Sequence, residues 1–172
     1  VNAGTLTVAK LNLIKGATTG TITASISGTA NALTALNTAA TDAITMTVAA
    51  GTVTAADLAT LDGKTSVAVA ANAVTKITGS DTEVLAALAA DTAATLVIDT
   101  DFNTDVTGDL SVANANTIVL ATTGQVDFAG TITGSMASML NGAENGLSTA
   151  FAAVTNGTAS SDGDGGVDVT VN

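Results

Sequence analysis

Cysteine, proline, histidine, tryptophan and tyrosine are all missing from this 172-residue chain, and each absence excludes something. Without cysteine there is no disulfide framework and no thiolate metal site, so the fold rests on burial and backbone hydrogen bonding. Without histidine or cysteine the usual general base and the strongest nucleophile are gone, leaving Ser, Thr, Lys and carboxylates. Aromatic residues make up 2% of the chain, all of them Phe. That removes the aromatic platforms of sugar sites and limits the core to thin layers of Val, Ile and Leu. Basic residues are scarce as well, 4 against 15 Asp and Glu, for a net charge of −11. A surface so acidic repels phosphate backbones, so nucleic acid is not an expected partner. No apolar run approaches the roughly 18 residues of a membrane span, and membrane insertion is not expected.

What the chain does have is a 47% hydrophobic fraction, rich in Ala, Val, Leu and Ile. That is too much for a disordered acidic tail, which lacks the apolar area needed to offset chain entropy. The acidic excess suits an extracellular protein in salty medium, or carboxylates that meet Ca²⁺. The start, Val1-Asn2-Ala3-Gly4, has no initiating Met and no signal-like stretch, as in a processed product or a piece of something longer.

A cassette recurs at about 26 residues, each time an extended Thr/Val/Ile run, a small-residue break, and a short Ala/Leu run. It reads Ile26-Ser27-Gly28-Thr29 leading to Leu33 and Leu36, then Val53-Thr54-Ala55-Ala56 leading to Leu58 and Leu61. A third copy reads Ile77-Thr78-Gly79-Ser80 leading to Val84, Leu85 and Leu88. Ser80-Asp81-Thr82-Glu83 matches the S-x-x-E capping box, and Thr54 to Asp57 is a weaker version. Strands are expected after the helices at Ile44–Val48, Val67–Val69 and Leu96–Ile98. Residues 1–27 read as extended, with Leu6 and Val8, Leu11 and Leu13, then Ile22, Ala24 and Ile26 on alternate positions.

The pattern fades after Asp99. Leu110 with Val112, Ile118 with Leu120, Val126 with Phe128, and then Ile132 read as short strands between Asn and Gly turns. A helical stretch over 135–154 carries Met136, Met139, Leu140, Leu147, Phe151 and Val154 and would cap the stack. Residues 155–166 read as a Gly/Asp/Ser loop, before a last strand at Val167, Val169 and Val171. The expected fold is therefore α/β: a strand-rich, solenoid-like repeat domain with parallel strands and short crossover helices. A mainly-β solenoid or sandwich is the alternative. The expected organisation is a repeat region over 1–100 and a strand-rich continuation over 101–172, forming one continuous domain.

The segment Asp57-Leu58-Ala59-Thr60-Leu61-Asp62-Gly63-Lys64-Thr65-Ser66-Val67-Ala68-Val69, running on through Val74-Thr75-Lys76-Ile77-Thr78-Gly79-Ser80, resembles the degenerate repeats of very large secreted surface proteins. The likeness is notably to the RTX-like proteins of marine cyanobacteria. It covers residues 20–100 best, and it rests on composition as much as on position. Such proteins are acidic, Cys-free and rich in Thr, Ala and Val; many leave by type I secretion and carry Gly-Asp calcium nonapeptides. The resemblance implies a location at the cell surface and a layer-forming or filament-forming role.

Two candidate Ca²⁺ sites stand out. Asp99, Asp101, Asn103, Asp105 and Asp109 place oxygens at alternate positions, as a hard cation with six to eight oxygen ligands requires. On an extended strand the same side chains would simply face water. An EF-hand would want Gly at Thr104 and Glu at Leu110, so that motif is not matched. The weaker candidate is Asp162, Asp164 and Asp168, where Gly163, Gly166 and Asp168 fit the nonapeptide but Asp164 and Thr170 do not.

Gly63-Lys64-Thr65 echoes the end of a phosphate loop without its upstream glycine. Asn156-Gly157-Thr158 is a formal glycosylation sequon. A Ser–Lys catalytic pair would need Lys10, Lys15, Lys64 or Lys76 buried beside a Ser. No catalytic residue is assigned, and an enzyme is not expected. The leading expectation is a secreted structural protein that assembles with copies of itself into a filament or surface layer, its open strand edges over 5–27 and 166–171 pairing between molecules. The alternative is a Ca²⁺-dependent adhesin module holding a glycan or another cell-surface partner.

Overall fold

The computed structural model describes residues 6–135, 139–140, 160–161 and 169–171. Helix α1 (Val8–Gly16) comes first, then β1 (Thr23–Gly28), α2 (Ala30–Thr34), β2 (Ala43–Val48), β3 (Gly51–Thr54) and α3 (Ala55–Asp62). The chain goes on through β4 (Val69–Ala71), β5 (Val74–Ser80), α4 (Asp81–Thr92), β6 (Leu96–Ile98), β7 (Asn103–Thr107) and β8 (Leu110–Ser111). It then forms α5 (Val112–Ala121), β9 (Val126–Phe128), β10 (Ile132–Gly134), β11 (Ser160–Ser161) and β12 (Val169–Val171).

A tier is one passage through the strands and their helix, as in β2-β3-α3 and β4-β5-α4; the first, β1-α2, has a single strand and the fourth, β6-β7-β8-α5, has three. The first sheet runs β1-β2-β4-β6, the second β11-β9-β7-β5-β3, and a short third β12-β10-β8. Every strand pair among the described residues is parallel. Parallel neighbours need a crossover, and α2, α3, α4 and α5 supply it, each packed on the next in chain order. The fold is thus α/β, as expected, and not the mainly-β alternative.

Register carries the core from tier to tier. Val53, Ile77, Thr104 and Val126 are partners along one column, and Val106 faces Phe128 along another. Ile26 lies beside Met46 in the first sheet. Apart from Thr104, these columns are aliphatic or Phe and buried, together with Leu33, Leu58, Leu61, Val84 and Ile118 from the helices.

Hydroxyl caps start the helices. The side chain of Thr29 accepts from the N–H of Ala32, that of Thr54 from Asp57, and that of Ser111 from Asn114. Ser80 and Glu83 form the full capping box: the Ser80 N–H donates to Glu83 Oε2 at 2.9 Å and the Glu83 N–H to Ser80 Oγ at 3.4 Å. The Ser80 N–H, joined by the Ser80 hydroxyl donating to the same Oε2 at 3.0 Å, holds the Glu83 carboxyl below its ordinary range. The caps at 29, 54, 80 and 111 mark the repeat itself.

Several sequence expectations are corrected. Residues 8–16 are helical, not extended. Thr7 caps them by accepting from the Lys10 N–H, and Leu11 is buried while Leu13, its supposed strand partner, is 75% exposed. Ile118 and Leu120 lie on α5, where Val112, Ala115 and Ile118 are buried at helical spacing. Beyond residue 100 strands and a helix still alternate, as β7, β8, α5 and β9, and between β7 and β8 Gly108 takes a φ of +83°. Val67 and Ala68 precede β4, and Ser160–Ser161 pairs with β9 inside the stretch expected to be loop. The terminal strands β1 and β12 lie in different sheets, β1 on β2 and β12 on β10. Met139 is buried; most of the expected helical stretch 135–154 lies outside the described residues, as does Asn156.

Candidate functional site

The Asp99–Asp109 segment lies on the turn into β7, on β7 itself, and on the turn into β8. Strand alternation places Phe102, Thr104 and Val106 inward and Asn103, Asp105 and Thr107 outward. Asn103 Oδ1 accepts from the Gln125 N–H at 2.7 Å, and Asp109 Oδ1 from the Thr131 N–H at 2.8 Å. Both bonds join one tier to the next. Asp99 Oδ1 accepts from the adjacent Thr100 N–H at 2.8 Å, and Asp101 is exposed. Asp105 pairs with Lys76 at 2.6 Å, both side chains more than a third exposed, an arrangement worth at most about 1 kcal/mol. The structure therefore spreads the five side chains along a turn, a strand face and a second turn. Among the described residues no three Asp or Glu side chains converge. Asp162, Asp164 and Asp168 lie outside the described residues.

The most enclosed charge among the described residues is elsewhere, at Asp42. Its carboxylate is fully buried. Oδ1 accepts from Lys15 Nζ at 2.8 Å and from the Ile22 N–H at 3.0 Å, and Oδ2 from the Ala39 N–H at 2.9 Å. Lys15 Nζ also donates to the Gly20 carbonyl at 3.2 Å. The Lys15 bond, assisted by the two amides, holds the Asp42 carboxyl below its ordinary value of 3.8 although burial opposes this. The pair ties α1 and the turn after it to the entry of β2. Asn12 adds to the tie, donating to the Ala35 carbonyl at 2.8 Å and accepting from the Asn37 N–H at 2.7 Å.

Lys64 and Thr65, the echo of a phosphate loop, have structural partners. Lys64 Nζ donates to the Leu36 carbonyl. The buried Thr65 hydroxyl accepts from the Ile44 N–H at 3.0 Å and donates to the Ile44 carbonyl at 2.7 Å, one tier back. The same logic recurs down the stack. Ser66 Oγ donates to the Asp42 carbonyl, Thr78 Oγ1 to Val53, Thr122 Oγ1 to Phe102 and Thr133 Oγ1 to Leu110. Each link spans 20 to 24 residues apart from that of Thr78, which spans 25. Side chains that in another fold would carry chemistry here bridge neighbouring tiers.

Two buried hydroxyls, those of Thr38 and Thr104, are left out of this bonding. Thr104 is 1% exposed, lies between Ile77 and Val126, and its Oγ1 has no hydrogen-bond partner. Thr104→Val keeps the shape and removes the unpaired hydroxyl, so thermal unfolding is expected to show a gain of about 1 kcal/mol. A variant less stable than the native chain would mean that the hydroxyl has a partner.

The sequence singled out none of Asp42, Thr65 or Asn12 as a structural anchor. Only their distant partners reveal them, because the three donors to Asp42 come from 3, 20 and 27 residues away. Concave regions among the described residues include about 280 Å³ between the start of α2 and β3, about 320 Å³ between α4 and α5, and a shallow one of about 540 Å³ along α1 beside Asn12 and Leu13. No helix among the described residues is long and apolar enough to cross a membrane. No family model, curated protein or solved structure matches the chain.

Proposed function

We propose that this chain is a secreted structural protein, a solenoid-like stack that assembles with copies of itself into an extracellular filament or surface layer. The observation that carries the reading is where the reactive side chains go. Three of the four lysines hold a carbonyl or a carboxylate, and Thr, Ser, Asn and Asp side chains link one tier to the next. A molecule built this way spends its polar groups on its own continuity. Its sheets also grow by adding parallel strands in chain order, a geometry that another copy can extend. The acidic surface keeps such units soluble before they join.

A second reading, a calcium-dependent adhesin module, draws support from Asp105 and Asp127, partners on adjacent parallel strands. Like charges side by side are unfavourable, and a cation would relieve the repulsion that Lys76 relieves on one side only. Negative-stain microscopy and melting curves, each with calcium and with chelator, separate the two. Fibres or sheets in both conditions are the expected result. Dispersed particles whose melting temperature rises sharply with calcium would replace the structural reading with the adhesin one.

A further inference from the structure

The first tier lacks a strand. β2 leads into β3, β4 into β5 and β6 into β7, so each of these tiers places a strand in the first sheet and then one in the second. β1 instead passes from Gly28 to the Thr29 cap and into α2, leaving the first tier without a strand in the second sheet. The second sheet therefore begins at β3, whose sole sheet neighbour among the described residues is β5. Beside it lies the cavity of about 280 Å³, lined on one side by Thr29 and Asn31 at the start of α2 and on the other by Ala50, Thr52 and Thr54. This notch is the interval that a first-tier strand would occupy.

The edge is suited to pairing. It offers amide and carbonyl groups on its open side, and it carries neither Lys nor Pro, the residues that blunt edges. The irregularity between Gly51 and Thr52 lies at the entry of the strand and leaves Thr52 to Thr54 in unbroken register with Lys76 to Thr78. The other end of the same sheet is also an edge: β11 pairs with β9 alone among the described residues. All these strands run parallel and follow chain order. A second copy displaced along the stack therefore brings its β11 beside β3 in the direction the sheet already has.

We propose that the notch beside β3 is a strand-acceptor site filled by the far-end strand of a second copy, so that the second sheet continues from molecule to molecule, head to tail. This rests on the self-assembly reading and specifies its contact. The interface is heterologous, so it does not close on itself and propagates as a filament.

The test is the double variant Ala50→Glu/Thr52→Glu, which sets carboxylates on two exposed notch positions beside Asp57 and so blunts the edge. Thr107→Glu, exposed on the central strand β7, is the control. The notch variant is expected to keep its melting temperature while raising the critical concentration for assembly about tenfold or more by sedimentation. Added to the native chain at low ratio it is expected to shorten filaments, because it still offers its far end but accepts none. The control is expected to assemble normally. A native chain that stays monomeric at every concentration would overturn the functional reading and this contact together. Filaments indifferent to the notch substitutions would overturn the contact alone. A dispersed variant that leaves native filaments at full length would mean that notch meets notch, against head-to-tail order. A variant that loses thermal stability with assembly unchanged would mean that the notch is filled from within its own chain.

Discussion

Gly130→Ala is expected to destabilise this protein by about 3 kcal/mol or more, a large loss for the addition of one methyl group. A Cβ at Gly130 would stand 2.1 Å from the carbonyl oxygen of Gly108 and 2.7 Å from the Asp109 nitrogen. Gly124 is placed alike, 2.1 Å from the Phe102 oxygen. In both cases the obstacle is the backbone of the preceding tier, not a side chain that can swing away. Nor can that backbone retreat cheaply. It is bonded across the gap by the Thr104 N–H to Gln125 at 2.8 Å, the Ala129 N–H to Val106 at 2.9 Å and the Leu110 N–H to Thr131 at 3.1 Å. Accommodating the methyl would pull two tiers apart and break such bonds. Neither position has a positive φ, in contrast to Gly51 and Gly108, so the requirement is for space. Gly16→Ala is the comparison: nothing lies within 4 Å of its Cβ, and at the end of α1 alanine is neutral or slightly favourable. Urea unfolding of the three alanine variants checks this. If Gly130→Ala unfolds with the native chain, the tiers are not packed this closely.

Asp42→Asn is expected to cost about 3 kcal/mol and to change the acid limb of the stability curve. The substitution leaves Lys15, whose side chain is 20% exposed, without its counter-charge, and replaces an oxygen acceptor for a part-buried amide by a donor. The pH dependence follows from the lowered carboxyl. In the folded state Asp42 binds its proton less readily than in the unfolded chain, so its contribution is complete above the ordinary aspartate value of 3.8. It is lost as pH falls below that value and through the folded one. The native chain is therefore expected to lose stability in that acidic window, and Asp42→Asn to lose less there, because it starts lower and has no such proton to take up. Guanidinium-induced unfolding at a series of pH values measures both curves. Parallel acid limbs would show that Asp42 is not the group responsible.

Both predictions concern contacts between residues about 20 positions apart, and such contacts were the hardest to read from the chain. Local chemistry was legible. The Ser80–Glu83 capping box, the Thr54 cap and the alternating strand at Ile44–Val48 are decided by neighbours within four residues, and they stand where the pattern placed them. Helix α1 was misread because Leu6, Val8, Leu11 and Leu13 also satisfy alternation. Burial of Leu11 against the core, with Lys15 reaching Asp42, selects the helix. Helix α5 was misread because its β-branched and Asn residues suggest strands and turns. Packing on α4 and burial of Val112, Ala115 and Ile118 outweigh that propensity.

The candidate site divides in the same way. Alternation along β7 sufficed to put Asn103 and Asp105 on one face, but the backbone amides of the next tier gave Asn103 and Asp109 their partners.

By itself, then, the sequence determined a repeating strand and helix unit, its hydroxyl caps, its acidity and its want of aromatic, thiol and imidazole chemistry. These depend on composition and short-range geometry. Tertiary structure alone decided that residues 112–121 form a helix, that Gly124 and Gly130 must lack side chains, that Asp42 is the buried anchor, and that the first tier leaves a notch beside β3. The reason is physical: in a parallel stack each strand meets its partner only after a full tier of chain, so no short window contains both sides of any contact that holds the tiers together.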